Sequence, residues 1–269
     1  MPITTTKIQH ASSNIQRAFS SAEVFSIIQA KQRPLCFFDI DDTLISTVGV
    51  PTDSGLRRGL GGDAWFSHFL THSQAGHDRS GALARTVALY AVLQQRAVHQ
   101  PVDKDTVNLF QQCRAQSDVV MLGLTARSES ISGITQNTLE RLGLSFTGNQ
   151  GEPDFGSFRI DLSEPGVQSE QKKSCLFQHN ILFCSGQDKG RALNAFCRHD
   201  AVKSIVSTRD ALFFVDDNRK NCESVKRSAP DCVVTHFEQQ SKEVTYGDAE
   251  FNRDQDVIND LEAGQLFGR

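Results

Sequence analysis

The chain has 269 residues, of which 38% are hydrophobic and 22% charged, enough for one large domain or for one domain carrying a sizeable insert. Its 28 basic and 32 acidic residues leave a net charge of −4, which excludes a broad positive field for a nucleic-acid backbone or an anionic membrane. The apolar content excludes a wholly disordered chain.

No apolar run reaches the roughly 20 residues of a membrane helix, and the start, MPITTTKIQHASSN, lacks the charged-then-apolar pattern of a secretory signal. The seven cysteines are odd in number and irregularly spaced, with no C-x-x-C. They read as reduced thiols rather than a disulfide framework. A cytoplasmic protein is expected, with export by a signal-less route left open.

In chain order, residues 1–20 read as a loosely held lead-in. LCFFDI (35–40) is the first apolar run. Residues 45–117 are too long for one crossover helix; they hold a Gly-rich turn (Gly59, Gly61, Gly62) and apolar-periodic stretches around Trp65–Leu70 and Leu83–Val98, the second broken by Pro101. VVMLGLT (119–125) comes next, followed by a helix over 130–142. Residues 145–178, with Pro153 and Pro165, form a polar excursion with the weak outline of a hairpin. NILFC (180–184), a helix over 188–199, ALFFVD (211–216), a helix over 218–228 and CVVTHF (232–237) complete the series. The tail from Ser241 is polar and closes with a short helix at Asp256–Glu262.

The apolar runs are continuous rather than alternating, as in strands buried on both faces of a parallel sheet. Strands alternating with helices predict a doubly wound α/β fold with a mainly parallel sheet. The expected division is a core of 1–44 and 118–269, a mostly helical cap at 45–117 inserted after the first strand, and the polar excursion 145–178 within the core.

Ligands of open α/β sheets gather at the carboxyl ends of the strands. There the first run ends in Asp39, Asp41, Asp42 and Thr43; the second in Thr125, Ala126 and Arg127; Asp188 and Lys189 follow the third; Asp216, Asp217 and Asn218 end the fourth. Four carboxylates (Asp39, Asp41, Asp216, Asp217) within a few ångströms are costly. Each like-charged pair at 4 Å is worth about 4 kcal/mol at an effective dielectric of 20, against a domain stability of about 5–15 kcal/mol. A hard divalent cation together with Lys189 offsets most of that charge, and an all-oxygen set suits Mg²⁺. Zinc is disfavoured here because none of the acids, hydroxyls or basic residues just named is a His or Cys. A cation, a lysine and a threonine hydroxyl together make a site for a tetrahedral dianion such as phosphate. The first carboxylate then suits a nucleophile and the carboxylate two residues on a general acid/base.

These four segments resemble the four motifs of the haloacid dehalogenase (HAD) superfamily, in its phosphatase-type branch, over roughly 33–46, 117–130, 180–200 and 210–222: D-x-D-x-T at 39–43, then Thr125, Lys189 and the Asp216-Asp217 pair. The cap, the polar excursion and both termini lie outside the match. The resemblance implies a HAD-like Rossmannoid core, with Asp39 as nucleophile and Asp41 as general acid/base whose backbone carbonyl is also a metal ligand. It implies that Asp216 binds Mg²⁺ directly and Asp217 directly or through water, while Thr125, Ala126 and Lys189 hold the phosphoryl group. Thr43 would brace the first loop. An aspartate at position 41 resembles phosphatases and phosphomutases rather than dehalogenases or ion-pumping ATPases. Asp42 departs from the pattern, which often has glycine there; it reads as a solvated turn residue.

The implied function is a Mg²⁺-dependent phosphohydrolase cleaving phosphomonoesters through an aspartyl-phosphate. A phosphotransferase or phosphomutase with the same intermediate is the alternative, and a HAD-fold binding module with little catalysis is a third. The expected partner is a phosphorylated small molecule, with a phosphoprotein second; no nucleic-acid surface and no membrane are expected.

Plainer readings stand beside these. Thr125 also suits a helix N-cap, Lys189 a surface lysine, and Arg127 either a phosphate contact or a surface ion pair. His68, His72 and His77 lack an evident acid or thiol partner and read as a cap surface helix rather than a metal site. Trp65 reads as core with solvated Arg57 and Arg58, and the 18 phenylalanines read as core rather than a stacking platform.

Overall fold

The computed structural model describes residues 14–74, 78–147, 155–163, 173–238 and 246–264. The elements are, in order, β1 (Gln16–Ala18), α1 (Ser21–Gln29), β2 (Pro34–Phe38), β3 (Ile45–Thr52), β4 (Gly55–Arg58), α2 (Asp63–Ser73), α3 (Arg79–Arg96), β5 (Val98–Pro101), α4 (Thr106–Arg114) and β6 (Val120–Thr125). A 3₁₀ turn at Glu129–Ile131 leads into α5 (Ser132–Arg141), β7 (Phe158–Asp161), β8 (Ser174–Gln178), β9 (Ile181–Phe183), α6 (Lys189–Arg198) and α7 (Lys203–Val206). The chain closes with β10 (Ala211–Asp216), α8 (Arg219–Ser228), β11 (Val233–Phe237), α9 (Asp248–Arg253) and α10 (Gln255–Glu262).

The apolar runs become the centre of an eight-stranded sheet of order β1-β11-β10-β2-β6-β9-β8-β7. From β1 to β9 every pairing is parallel. Both faces are covered, which explains the unbroken apolar runs. Cys36, Phe38, Met121, Phe213 and Val215 face one layer with Phe25, Phe110 and Leu139 of α1, α4 and α5. Their neighbours Leu35, Phe37, Leu122, Leu124 and Phe214 face the other, with Leu193, Phe196 and Val225 of α6 and α8. The protein is thus a doubly wound α/β fold with a largely parallel sheet. The polar stretch after α5 contributes β7 and β8, an antiparallel pair extending the sheet beyond β9; residues 148–154 and 164–172, which include Pro153 and Pro165, lie outside the described residues.

Three segments depart from expectation. The lead-in is not loose from Gln16 on: β1 pairs with β11 as an edge strand, and Ser20 caps α1 by accepting from the Glu23 N–H. The insert is not simply helical. Its two helices pack with an antiparallel sheet of order β4-β3-β5, because Ile45–Thr52 is β-branched and begins with alternating buried and half-buried residues, a period-two signal. The β3 ladder slips at Gly49, whose φ is +151° and whose missing side chain leaves room for the Arg57 carbonyl; a Cβ there would stand 2.2 Å from that oxygen.

Finally, packing divides the chain differently from the expected cap at 45–117. Helix α4 joins the main core through Phe110 and Cys113. The C-terminal Tyr246, Val257, Ile258 and Leu261 join the core of the insert, beside Trp65, Phe69, Leu89 and Leu93. All seven cysteines are free thiols. Among the described residues no helix is long and apolar enough to cross a membrane.

Candidate active site

Adjacent strands β2 and β10 deliver acids at the same level. The β2 ladder continues one residue past the strand, the Asp39 N–H donating to the Val215 carbonyl at 2.9 Å, and β10 ends in Asp216. Beyond Asp39 the chain turns tightly: the Leu44 and Ile45 N–H groups both donate to the Ile40 carbonyl, and the Asp42 N–H donates to Ile45. Asp42 adopts φ +53°, a left-handed conformation that glycine takes freely and aspartate tolerates. That accounts for an aspartate where the HAD pattern often has glycine. Thr43 ties this loop to the β10 loop by accepting the Asp217 N–H at 3.0 Å.

Lys189 arrives from the start of α6. Asp188 caps the helix by accepting from the Arg191 N–H at 2.7 Å and from the Ser224 hydroxyl at 2.6 Å. Gly190 lets α6 lie against α8; a Cβ there would stand 2.4 Å from the Ser224 carbonyl oxygen. Between these two residues Lys189 points inward, 3% exposed, with Nζ 2.6 Å from Asp39 Oδ1 and 2.7 Å from Asp216 Oδ2. It is not the surface lysine that its helix-start position also allowed.

Asp216, wholly buried, is held further by the Asn218 N–H at 2.7 Å and by Asn221 Nδ2 at 3.0 and 3.1 Å. The His236 ring lies 3.0 Å from the Asp217 carbonyl. Sequence reasoning missed Asn221 and His236; Asn221 stands in the first turn of α8, aimed back at the strand it follows, a placement that needs the strand–helix angle.

Arg127 corrects the sequence reading most. It is buried, not a surface pair, and grips Asp41 with Nε–Oδ2 at 2.8 Å and Nη2–Oδ1 at 2.7 Å. Thr125, fully buried at the end of β6, accepts the Arg127 N–H at 3.1 Å. It does not cap the following helix, because Ser128 takes that position and accepts from Ser130. The Ala126 carbonyl accepts the Gly186 N–H at 2.9 Å, fixing the β6 exit against the β9 exit. The register Phe38↔Gly123 sets Thr125 level with the first loop.

The electrostatics follow from burial and pairing. Burial pushes the Asp39 carboxyl well above its usual value, Asp216 adds to the push, and Lys189 opposes it. Burial acts upward on Asp41 too, yet the Arg127 fork overcomes it and leaves that carboxyl below its usual value. Lys189 is likewise pulled down by burial but ends above its usual value through Asp216 and Asp39. Asp63, at the first turn of α2, is crowded by protein on one side and open to solvent on the other. Its carboxyl is pushed well up by that crowding and by Asp41, Asp42 and Asp217, so the start of α2 feels the charge of the first and β10 loops.

Asp39, Asp216 and Asp217 each present a carboxylate oxygen within 4.8 Å of the others. This donor set is all oxygen, the chemistry that suits a hard divalent cation. The Asp41 carboxylate does not join that set; Arg127 holds it. Four carboxylates therefore face two fixed cations, Lys189 and Arg127.

No curated protein matches the chain. Among solved structures, it is similar to the HAD domain of effector protein Lem4 from Legionella pneumophila, at 10% identity and a TM-score of 0.35, over 86% of this chain and 98% of that one. The family model described as "Protein of unknown function (DUF2608)" matches residues 5–253, and the chain belongs to that family.

Proposed function

We propose that this protein is a Mg²⁺-dependent phosphohydrolase that cleaves phosphomonoesters through an aspartyl-phosphate on Asp39. One observation carries the reading: a buried lysine bridges Asp39 and Asp216 at 2.6 and 2.7 Å, while Asp217 completes a carboxylate cluster within 4.8 Å. A buried acid cluster of this density is costly as a structural device and apt as a cradle for a cation and a dianion.

Asp39 Oδ attacks phosphorus in line, and the bond from phosphorus to the ester oxygen breaks. The leaving oxygen takes a proton from Asp41. In the second step Asp41 takes a proton from water, the water oxygen bonds to phosphorus, and Asp39 is released as carboxylate with inorganic phosphate. Lys189, Thr125 and the Ala126 backbone hold the phosphoryl oxygens. Mg²⁺, held by Asp39, Asp216, Asp217 and the Asp41 backbone carbonyl, would offset charge on the phosphoryl oxygens. Added to Lys189 and Arg127 it balances the four carboxylates. The Arg127 fork favours ionised Asp41, the state the water step needs. The acid step requires that fork to loosen, which an arriving phosphoryl dianion can drive by competing for the guanidinium. Asp63 of the insert interacts electrostatically with Asp41, Asp42 and Asp217; an insert acting as a cap there would favour a small phosphorylated molecule as substrate.

The test is turnover of an aryl phosphate at pH 6–8 with millimolar Mg²⁺. Asp39→Asn should abolish it and EDTA should mimic the loss. Equal turnover by the variant removes the assignment. Faster transfer of phosphate to an added alcohol than to water redirects it to a phosphotransferase.

A further inference from the structure

His68 and His72 stand at i and i+4 on α2, so their rings leave one face of the helix. The sequence offers them no evident partner; His77 lies outside the described residues. The fold supplies one in Asp248, the first residue of α9. Its Oδ1 lies 3.4 Å from His68 Nε2 and 3.2 Å from His72 Nε2, and the three ligand atoms all fall within 4.8 Å of one another.

Those separations have a chemical meaning. With zinc–ligand bonds of about 2.0–2.1 Å, the edges of a tetrahedron are about 3.3–3.4 Å. The two distances to Asp248 Oδ1 are close to that edge. A plain hydrogen bond accounts for His72, but His68 Nε2 is buried with no hydrogen-bond partner while aimed at the same carboxylate oxygen. The rings are also fixed in place. His72 stacks on Phe251 with centroids 4.4 Å apart and planes 11° from parallel, and His68 packs against Phe251 and Tyr246 at 5.5 and 5.9 Å.

We propose that His68, His72 and Asp248 form a second metal site, for a borderline divalent cation of the Zn²⁺ type, which fastens the α2 helix of the insert to α9. Two imidazoles and one carboxylate select Zn²⁺, Co²⁺ or Ni²⁺ over Mg²⁺, the reverse of the all-oxygen Asp39–Asp216–Asp217 cluster. Three protein ligands leave a fourth position for water. The site sits at the rim of the core shared by Trp65, Phe69, Tyr246 and Ile258, so a bound ion would pin the C-terminal helices to the insert. This inference does not depend on the phosphohydrolase reading.

The full-length protein is titrated with Zn²⁺ by calorimetry in millimolar Mg²⁺, and with Co²⁺ by visible absorption. The expected result is one equivalent of tight binding, Co²⁺ d–d bands without a thiolate charge-transfer band, and a Zn²⁺-dependent rise in Tm. His72→Gln, on a ring 43% exposed, and Asp248→Asn, on a carboxylate 80% exposed, keep the fold. Each should weaken Zn²⁺ binding at least ten-fold, while Asp39→Asn leaves it unchanged. Absence of binding by the natural protein, equal binding by the His72 and Asp248 variants, thiolate bands with Co²⁺, or loss of binding in Asp39→Asn would each overturn the site.

Discussion

Arg127 holds Asp41 through two parallel hydrogen bonds, Nε–Oδ2 at 2.8 Å and Nη2–Oδ1 at 2.7 Å, and its remaining Nη1 donates to Thr135 Oγ1 at 3.1 Å. One side chain thus joins the loop after β2, the exit of β6 and helix α5. A fork of this kind needs the planar guanidinium; an ammonium cannot reproduce it. With the Arg127 side chain 1% and Asp41 15% exposed, removing the arginine leaves a half-buried acid without its cation.

Arg127→Ala should therefore cost about 3–5 kcal/mol at pH 7, and Arg127→Lys should recover only part. The sign with pH is fixed by the direction of the Asp41 shift. Its folded pKa lies below the usual value, so its contribution is present above the unfolded pKa of about 3.9 and is lost as pH falls through the lower folded value. Urea unfolding at pH 7 and pH 3 should show the gap between natural and Ala proteins closing at acid pH. A gap that widens there would contradict the pairing.

Lys189 is the counterpart for Asp39 and Asp216. Lys189→Met keeps the volume and removes the charge from between two buried carboxylates, and should cost about 3–5 kcal/mol. Adding Asp216→Asn to it removes one of the stranded charges and should recover a measurable part of the loss. Strict additivity in that double-mutant cycle would mean the two side chains do not act on each other.

How far the sequence showed this site depends on how local each signal is. The strands that end in Asp39 and Asp216 were legible because burial on both faces makes them continuously apolar, and acids closing such runs stand out. Arg127 was not, because its burial is decided by Asp41, 86 positions away. Helix caps are local, and Asp188 and Asn218 stand where caps belong. The β3 strand was obscured by Gly49 and Pro51, which interrupt its alternation. The union of Tyr246–Leu261 with the insert was invisible for another reason: a short amphipathic helix announces an apolar face but not which distant surface covers it.

Gly190 gives a steric prediction. Gly190→Ala puts a Cβ 2.4 Å from the Ser224 carbonyl oxygen, and backbone on both sides cannot yield cheaply. The two helices must separate, at a cost of about 1–3 kcal/mol. Because Lys189 is the adjacent residue, the turnover expected of the proposed phosphohydrolase should fall further than the loss of folded protein explains. Gly186→Ala is the control, at a positive φ with open space around it: a strained backbone without the clash, and without displacement of α6. Equal turnover per folded molecule in the Gly190 and Gly186 variants would dismiss the link between helix contact and lysine placement.

His99 sets a pH dependence of the insert. It is 6% exposed on β5, and its ring nitrogen Nε2 lies 3.0 Å from Gln94 Oε1, while Gln94 in turn donates to the Gly61 carbonyl at 2.7 Å. Burial, aided by Arg127, pulls its pKa from 6.5 to about 4. The ring is therefore neutral in the fold, while the unfolded chain takes up a proton below about pH 6.5. Between those values the unfolded state binds more protons, so stability rises with pH across the window. The contribution is complete above pH 6.5 and lost towards pH 4, about 3 kcal/mol in all at 1.36 kcal/mol per unit. Asp39, pushed upward, stabilises in the opposite sense as pH falls, so the natural protein alone does not isolate the histidine. The difference between the natural protein and His99→Gln does, because Asp39 is common to both. Urea midpoints at pH 7.5, 5.5 and 4.5 should give a gap between the two proteins that shrinks steadily with acid. A constant gap would mean that His99 titrates alike in the folded and unfolded chains.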